Sequence, residues 1–186
     1  FSQQFEISRG SSSRLDWPSW TEKWLTAGVL DGSLDFFDPS FPKAGRSFAS
    51  PAAGGFSVSR DGEILILADA RNELSSRKVS NGEILWRQSL PAEEEHLEID
   101  RHSRYVAASC ENKVLIYDFR TGSLVRQFDH PEKVHESVFL QRSDGANLLL
   151  TTCSDGNIRF WDIDSGQLIQ KLFTNPVGVH SLAVSN

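Results

Sequence analysis

Apolar residues in this chain fall in short runs of strand length, separated by pairs of turn-forming residues. Residues 63–68 read Glu-Ile-Leu-Ile-Leu-Ala, and Asp-Gly, Asn-Gly, Thr-Gly and Ser-Gly pairs interrupt such runs along the chain. These turns recur about every 8 to 12 residues and no stretch has a sustained helical period, so the pattern predicts an all-β fold made of hairpins. No run approaches the ~18 consecutive apolar residues of a membrane-spanning helix. We therefore expect a soluble protein without membrane insertion.

A repeat organises these strands. Segment 113–128 aligns without gaps on segment 157–172, an offset of 44 residues, and pairs Tyr117 with Trp161. The turn glycines recur at positions 82, 122 and 166. A period of this length with four short strands predicts a four-stranded antiparallel sheet in each unit.

The period divides residues 1–186 into about four units with loose strands at both ends. The units are expected at about 13–45, 52–90, 94–129 and 130–173, and residues 1–8 and 177–186 are expected to be stray strands of neighbouring or incomplete units. In the clearest unit the strands are expected at about 134–140, 148–153, 157–162 and 167–173.

The unit at 130–173 resembles the WD40 repeat of β-propellers, because it has Asp-Gly in its second turn and Trp161-Asp162 at the end of its third strand. The resemblance implies that the hydrogen-bond network of that family maps onto Asp155, His130, Thr151 and Trp161. A buried imidazole and a buried indole N–H both need partners, and an Asp in the turn can orient the imidazole. These four residues are therefore expected to be structural.

The second unit, with Gly82-Glu-Ile-Leu-Trp86, also resembles the quinoprotein-type propeller repeat. Both resemblances imply β-propeller blades. Common WD40 rings have about seven blades, whereas this chain accounts for about four. The ring is therefore expected to be incomplete here, with the remaining blades supplied by the rest of a longer chain, which we favour, or by another subunit.

Charge and cysteine content narrow the class of protein. The 19 Lys and Arg residues against 25 Asp and Glu give a net charge of −6, which argues against direct nucleic-acid binding. Cys110 and Cys153 have no CxxC spacing, which favours a reducing, intracellular compartment, cytoplasmic or nuclear. Both are expected to be small buried residues rather than catalytic thiols.

Two groups of titratable residues are candidates for chemistry or binding. His96, His135 and His180 fall near the start of the innermost strand in successive units, where a ring of imidazoles could hold a metal. A retained repeat position is the preferred interpretation, so no metal site is predicted. The run 93–95 of three glutamates is interpreted as a solvated loop, with a basic partner as the alternative.

Trp17, Trp20 and Trp24 are the partner-binding candidates. Tryptophan dominates binding hot spots, and three within eight residues are unusual for one strand and its loop. Packing within a divergent blade is the preferred alternative. The first half of the chain is also more basic than the Glu-rich middle. A surface there that binds an anionic partner is therefore an open hypothesis.

No phosphate-binding loop, GxSxG elbow or HExxH motif occurs in the sequence. We therefore predict no catalytic residues and no cofactor. The expected function is a non-catalytic scaffold that displays its rim and loops to other proteins in a multi-subunit assembly. A quinoprotein-type propeller enzyme or cofactor-binding domain is the alternative.

Overall fold

The computed structural model describes residues 25–28, 33–38, 41–49, 53–142, 145–174, 178–179 and 182, with side chains from residue 55 onward. Within these ranges all regular structure is β-strand, and every strand pairing is antiparallel. This confirms the all-β class. The predicted strand at 1–8, the start of the first unit and most of 177–186 lie outside the described residues.

The strands form four consecutive sheets. The first contains β1 (Leu25–Gly28), β2 (Ser33–Asp38) and β3 (Phe41–Ala49), and the second contains β4 (Ala53–Val58), β5 (Ile64–Asp69), β6 (Glu73–Lys78) and β7 (Ile84–Ser89). The third contains β8 (Glu94–Ile99), β9 (Tyr105–Cys110), β10 (Lys113–Asp118) and β11 (Leu124–Asp129). The fourth contains β12 (Val134–Gln141), β13 (Asn147–Cys153), β14 (Asn157–Asp162) and β15 (Leu168–Phe173). In each sheet the spatial order of the described strands follows the chain.

Glycines set the tight turn between the third and fourth strands of a sheet. Gly82, Gly122 and Gly166 all have positive φ, at 73°, 70° and 76°. Residues with a Cβ pay for this left-handed backbone, so glycine is favoured there. The recurring glycines of the sequence therefore mark equivalent hairpins in the second, third and fourth sheets.

The hydrophobic core lies between successive sheets. One cluster joins the second and third sheets, and its members include Ile66, Leu74, Trp86, Val106 and Leu115. A second cluster joins the third and fourth sheets, and its members include Ala107, Val114, Ile116, Phe128 and Leu149. Alternate residues of β9 and β10 contribute to opposite clusters, so both faces of the third sheet are buried. Double-sided burial explains why these strands are almost continuously apolar.

The first strands of successive sheets lie beside one another. Strand β8 contacts β4 on one side and β12 on the other. The side chain of Glu94 on β8 accepts a 2.6 Å hydrogen bond from the backbone N–H of Gly55 on β4. The buried hydroxyls of Ser109 and Ser137 are 3.1 Å apart across the third and fourth sheets. This arrangement makes β4, β8 and β12 the inner strands of three neighbouring propeller blades.

Candidate functional site

Three of the four residues of the predicted network meet in the fourth sheet. The Thr151 hydroxyl lies 2.8 Å from Nε2 of His130 and accepts a 3.0 Å hydrogen bond from Nε1 of Trp161. His130 and Thr151 are buried, and the His130 and Trp161 rings meet edge to face at 5.4 Å. Burial lowers the pKa of His130 to about 4, so its imidazole is neutral at pH 7. A neutral, hydrogen-bonded imidazole here joins the blade's entry segment to its second and third strands.

Asp155, the fourth residue, pairs elsewhere. Its two carboxylate oxygens accept hydrogen bonds from both terminal nitrogens of Arg159, one of them at 3.0 Å, and Oδ1 also accepts from the backbone N–H of Asn157. Nδ1 of His130 instead lies 3.2 Å from the carbonyl of Phe128. The guanidinium of Arg159 holds the pKa of Asp155 well below its usual range. Arg159, four residues along the same hairpin, therefore binds the Asp155 carboxylate that was expected to orient the His130 imidazole.

Hydrogen bonds also connect one turn of the third sheet and one turn of the fourth sheet to the outer strand of the preceding sheet. Nε1 of Trp86 on β7 donates a 2.9 Å bond to the carbonyl of Phe119 in the β10–β11 turn. Arg126 on β11 donates to the carbonyls of Ile163 and Asp164 in the β14–β15 turn, at 3.2 and 2.6 Å. We call these two contacts the inter-sheet clasps. Trp86 and Arg126 occupy equivalent positions on β7 and β11. The same inter-sheet contact is therefore made twice, once by an indole and once by a guanidinium.

The inner strands carry two unusual titratable groups, both facing β12. Burial lowers the pKa of His96 to about 4, so its 3.9 Å contact with Glu136 is not an ion pair at pH 7. Burial raises the pKa of Glu98 to about 8, although a backbone hydrogen bond from Phe139 favours the ionised form. Oε2 of Glu98 is buried without a hydrogen-bond partner. His96 and most of the Glu98 side chains are therefore uncharged at pH 7.

The described histidines of the inner strands do not share a site. His96 lies beside Glu136, whereas Nε2 of His135 contacts the Ser154 hydroxyl at 2.8 Å. His180 lies outside the described residues. Among the residues that the structure describes, no group of three His, Cys, Asp or Glu side chains is placed to hold a metal ion.

Cys110 and Cys153 occupy the ends of β9 and β13, where both are buried and unpaired. Burial raises the pKa of Cys110 to about 12 and raises that of Cys153 as well. The Cys153 thiol contacts the carbonyl of Glu132 at 3.3 Å. Both thiols are protonated at neutral pH, in agreement with the interpretation as buried packing residues.

Two open clefts of opposite charge lie at the two ends of the sheets. One of about 410 Å³ is lined by Glu93, Glu95, Glu111, Asn112 and Lys133, and Lys133 is paired with Glu95 at 2.6 Å. The other, of about 390 Å³, lies among turns at the opposite end of the strands, and three of its seven lining residues are arginines. The glutamate run thus sits at a cleft edge with one of its carboxylates neutralised.

The candidate anchors Trp17, Trp20 and Trp24 lie outside the described residues, and their role stays a prediction. No helix in the described part of the chain is long and apolar enough to cross a membrane.

Comparison with known proteins identifies the family. The family model described as "Outer membrane protein assembly factor BamB", short name PQQ_2, matches residues 18–177. The chain belongs to this β-propeller family. The propeller predicted from the repeat is therefore confirmed, while the matching model is not a WD40 one.

Curated relatives of this propeller chain carry WD repeat names. It is 29% identical over 120 residues to an uncharacterised WD repeat-containing protein of Synechocystis, covering 63% of this chain and 34% of that protein. It is 30% identical over 101 residues to the WD repeat and SOCS box-containing protein 1 of Takifugu rubripes, covering 53% and 23%. An uncharacterised WD repeat-containing protein of Schizosaccharomyces pombe is 27% identical over 137 residues, covering 72% and 32%. The chain spans about a third or less of the length of these relatives.

Structural similarity supports the same fold. The crystal structure of the computationally designed Ika8 protein matches with a TM-score of 0.75 at 17% identity, covering 95% of this chain and 54% of that one. At this level of identity the match shows the fold alone.

Sequence reasoning missed the clasp donors and Glu98. The signal for Trp86 is its place in a repeat motif, four residues after the turn glycine Gly82. Glu98 had a signal too, because it follows His96 at the alternate-residue spacing that puts both on one face of β8. The contact of Arg126 with the next sheet could not be predicted from a single sequence.

Proposed function

We propose that this chain is a non-catalytic scaffold, a WD40-like propeller segment that displays its rim and loops to other proteins within a multi-subunit assembly. Its remaining blades come from the rest of a longer chain or from another subunit. We propose no direct nucleic-acid contact and an intracellular site of action, cytoplasmic or nuclear.

The inter-sheet clasps are the observation that carries this proposal. The Trp86 indole holds the β10–β11 turn, and the Arg126 guanidinium holds the β14–β15 turn. Turns fixed in this way lose little conformational freedom when a partner binds, which favours binding by preformed surfaces. The same property suits a structure that presents several loops at once to different proteins.

The relatives support an assembly role by name. The matching family is described as an assembly factor, and one relative combines WD repeats with a SOCS box. The contacts among His130, Thr151 and Trp161 support the WD40-like character of the fourth sheet. The departure of Asp155 makes this network a variant of the one that the resemblance implied.

Cross-linking combined with affinity capture tests the proposal. The chain, expressed in its native context with an affinity tag, is treated with a short lysine-reactive cross-linker and isolated. We expect partner proteins joined at exposed residues such as Lys133 and Lys171. Recovery of the chain without protein partners, or with cross-links only within itself, contradicts the scaffold function.

The short name of the matching family favours one second candidate, a propeller that binds a quinone cofactor. The inner strands fit such a ligand poorly, because His96 lies against a neighbouring strand and His135 against a neighbouring turn. Titration with pyrroloquinoline quinone, followed by quenching of tryptophan fluorescence, separates the two functions. Saturable quenching favours the cofactor domain, and its absence favours the scaffold.

A further inference from the structure

The cleft of about 390 Å³ lies where turns of the second and third sheets meet. Arg60 comes from the β4–β5 turn, Arg101 and His102 from the β8–β9 turn, and Phe119 and Arg120 from the β10–β11 turn. We call the cleft that these five residues form together with Asp61 and Ser103 the basic cleft. Its volume falls in the range of sites that hold a ligand of several functional groups rather than a single ion.

The charge of the basic cleft is opposite to that of the whole chain. Three arginines line it, and Asp61 is the one carboxylate among its lining residues in the described part of the chain. Oδ1 of Asp61 already accepts bonds from the Ser59 hydroxyl at 2.6 Å and from the backbone N–H of Glu63 at 3.0 Å. Three arginines against one carboxylate give the lining a formal charge of +2 on a protein whose net charge is −6.

The carboxylates beneath the cleft are also committed to internal contacts. Asp100 is only 4% exposed and is paired with Arg104 at 2.9 Å. Oδ1 of Asp118 accepts hydrogen bonds from the backbone of Arg120 and Thr121, which holds the turn in place. Asp100 and Oδ1 of Asp118 are therefore engaged in contacts within the turns.

The walls of the cleft are preformed. The carbonyl of Phe119 accepts the Trp86 indole bond, and Nε2 of His102 lies 2.9 Å from the side-chain oxygen of Gln141 on β12. The backbone N–H of Ser103 donates a 2.8 Å bond to the carbonyl of Asp100. A site fixed in this way loses little conformational entropy when a charged partner binds.

We propose that the basic cleft docks an acidic peptide segment of a protein partner. Arg101 and Arg120 are exposed and stand on two separate turns, so they match carboxylates spread along a chain. The half-buried ring of Phe119 supplies an apolar wall for a side chain between those carboxylates. This inference rests on the proposed scaffold function and names one of its surfaces and the partner chemistry that fits it.

Fluorescence anisotropy with a labelled peptide, three glutamates on each side of one phenylalanine, tests the proposal. We expect saturable binding to the full chain that weakens as NaCl rises, because exposed charge pairs are screened. The double variant R101E/R120E should raise the Kd at least about tenfold, since rim charges set electrostatic complementarity. Both residues are exposed, so the fold should tolerate the change. The milder R101Q/R120Q should give an intermediate loss.

Lys171→Glu is the control for a single charge reversal, half of the charge change in R101E/R120E, because Lys171 lies on exposed β15 of the fourth sheet. It should change the Kd by less than about twofold. No binding by the wild-type chain, or equal losses in control and cleft variants, overturns the proposal. So does displacement of the peptide by inorganic phosphate well beyond that by chloride at equal ionic strength, which would assign a phosphate site. If cross-linked partners persist while the peptide fails to bind, this inference is wrong and the scaffold function stands.

Discussion

Replacing Gly122 by alanine tests how closely the third sheet's turn sits on the second sheet. Gly122 has a φ of +70°, and a Cβ added there would lie 2.6 Å from the indole ring of Trp86. A left-handed backbone costs a residue with a Cβ about 1–2 kcal/mol. Overpacking against a ring that is 8% exposed adds about 1–3 kcal/mol. We therefore expect Gly122→Ala to lower the free energy of unfolding by about 2–5 kcal/mol.

Gly145→Ala is the matched control. Gly145 has a φ of +90°, but a Cβ there would meet nothing within 4 Å. Its substitution should cost only the backbone contribution of about 1–2 kcal/mol. Urea unfolding followed by tryptophan fluorescence and circular dichroism gives both values, with equal m-values as the test that they are comparable. If Gly122→Ala lowers the free energy of unfolding by no more than Gly145→Ala does, the close contact of the Trp86 ring with this turn is refuted.

A double-mutant cycle sharpens the result. Trp86→Phe removes the indole donor and part of the ring that Gly122→Ala would displace. The two changes act on one contact, so their combined cost should be smaller than the sum of the single costs. Strict additivity would show that the two residues do not interact.

Three further predictions concern the blade networks. Thr151→Val should lower the free energy of unfolding by about 2–4 kcal/mol, because it leaves the buried His130 ring and the half-buried Trp161 indole without their shared hydroxyl. Thr151→Ser should retain most of the stability, and equal losses in the two variants would contradict this. Asp155→Asn should cost about 3 kcal/mol at pH 7, because it leaves the buried guanidinium of Arg159 unpaired. That contribution is present above the unfolded-state pKa of ~3.9 and is lost as the pH falls through the lowered folded-state pKa, so wild type and variant should converge in strong acid. Glu98 titrates in the opposite sense: with a folded-state pKa of about 8, above the ~4.3 of the unfolded chain, its contribution declines as the pH rises between those values. Glu98→Gln should therefore stabilise the protein at pH 8 more than at pH 5 in urea titrations, and a pH-independent difference would refute the buried, protonated carboxyl.

The strands were predictable because turn chemistry and the repeat both point to them. In the fourth sheet the observed β12–β15 begin and end within one residue of the predicted limits. The turn glycines at 82, 122 and 166 take the left-handed backbone that their pattern indicated. The first unit was less accurate, since β3 continues to Ala49, beyond the expected limit near residue 45. It lacks the Asn-Gly, Thr-Gly or Ser-Gly pair that marks the last turn of the later units.

The side-chain network was only partly predictable. The contacts of Thr151 with His130 and Trp161 follow from the motif, because buried ring nitrogens need an acceptor or donor nearby. The partner of Asp155 depended on competition between an imidazole and a guanidinium. The guanidinium of Arg159 prevails because it is always charged and binds both carboxylate oxygens.

The contacts between sheets were the least predictable. Trp86 and Phe119 are 33 residues apart, and Arg126 and Ile163 are 37 apart, so neither pair follows from the period alone. The basic cleft is likewise assembled from turns of two different sheets. Long-range contacts of this kind depend on how the blades pack, which a single sequence does not encode as a local pattern.

Native mass spectrometry of the protein isolated from its own cells tests the central claim most directly. A scaffold should be recovered as the chain plus the masses of one or more partner proteins, with no small-molecule adduct. Recovery as the chain with a stoichiometric low-mass cofactor and no protein partner would contradict the scaffold and favour the cofactor-binding propeller.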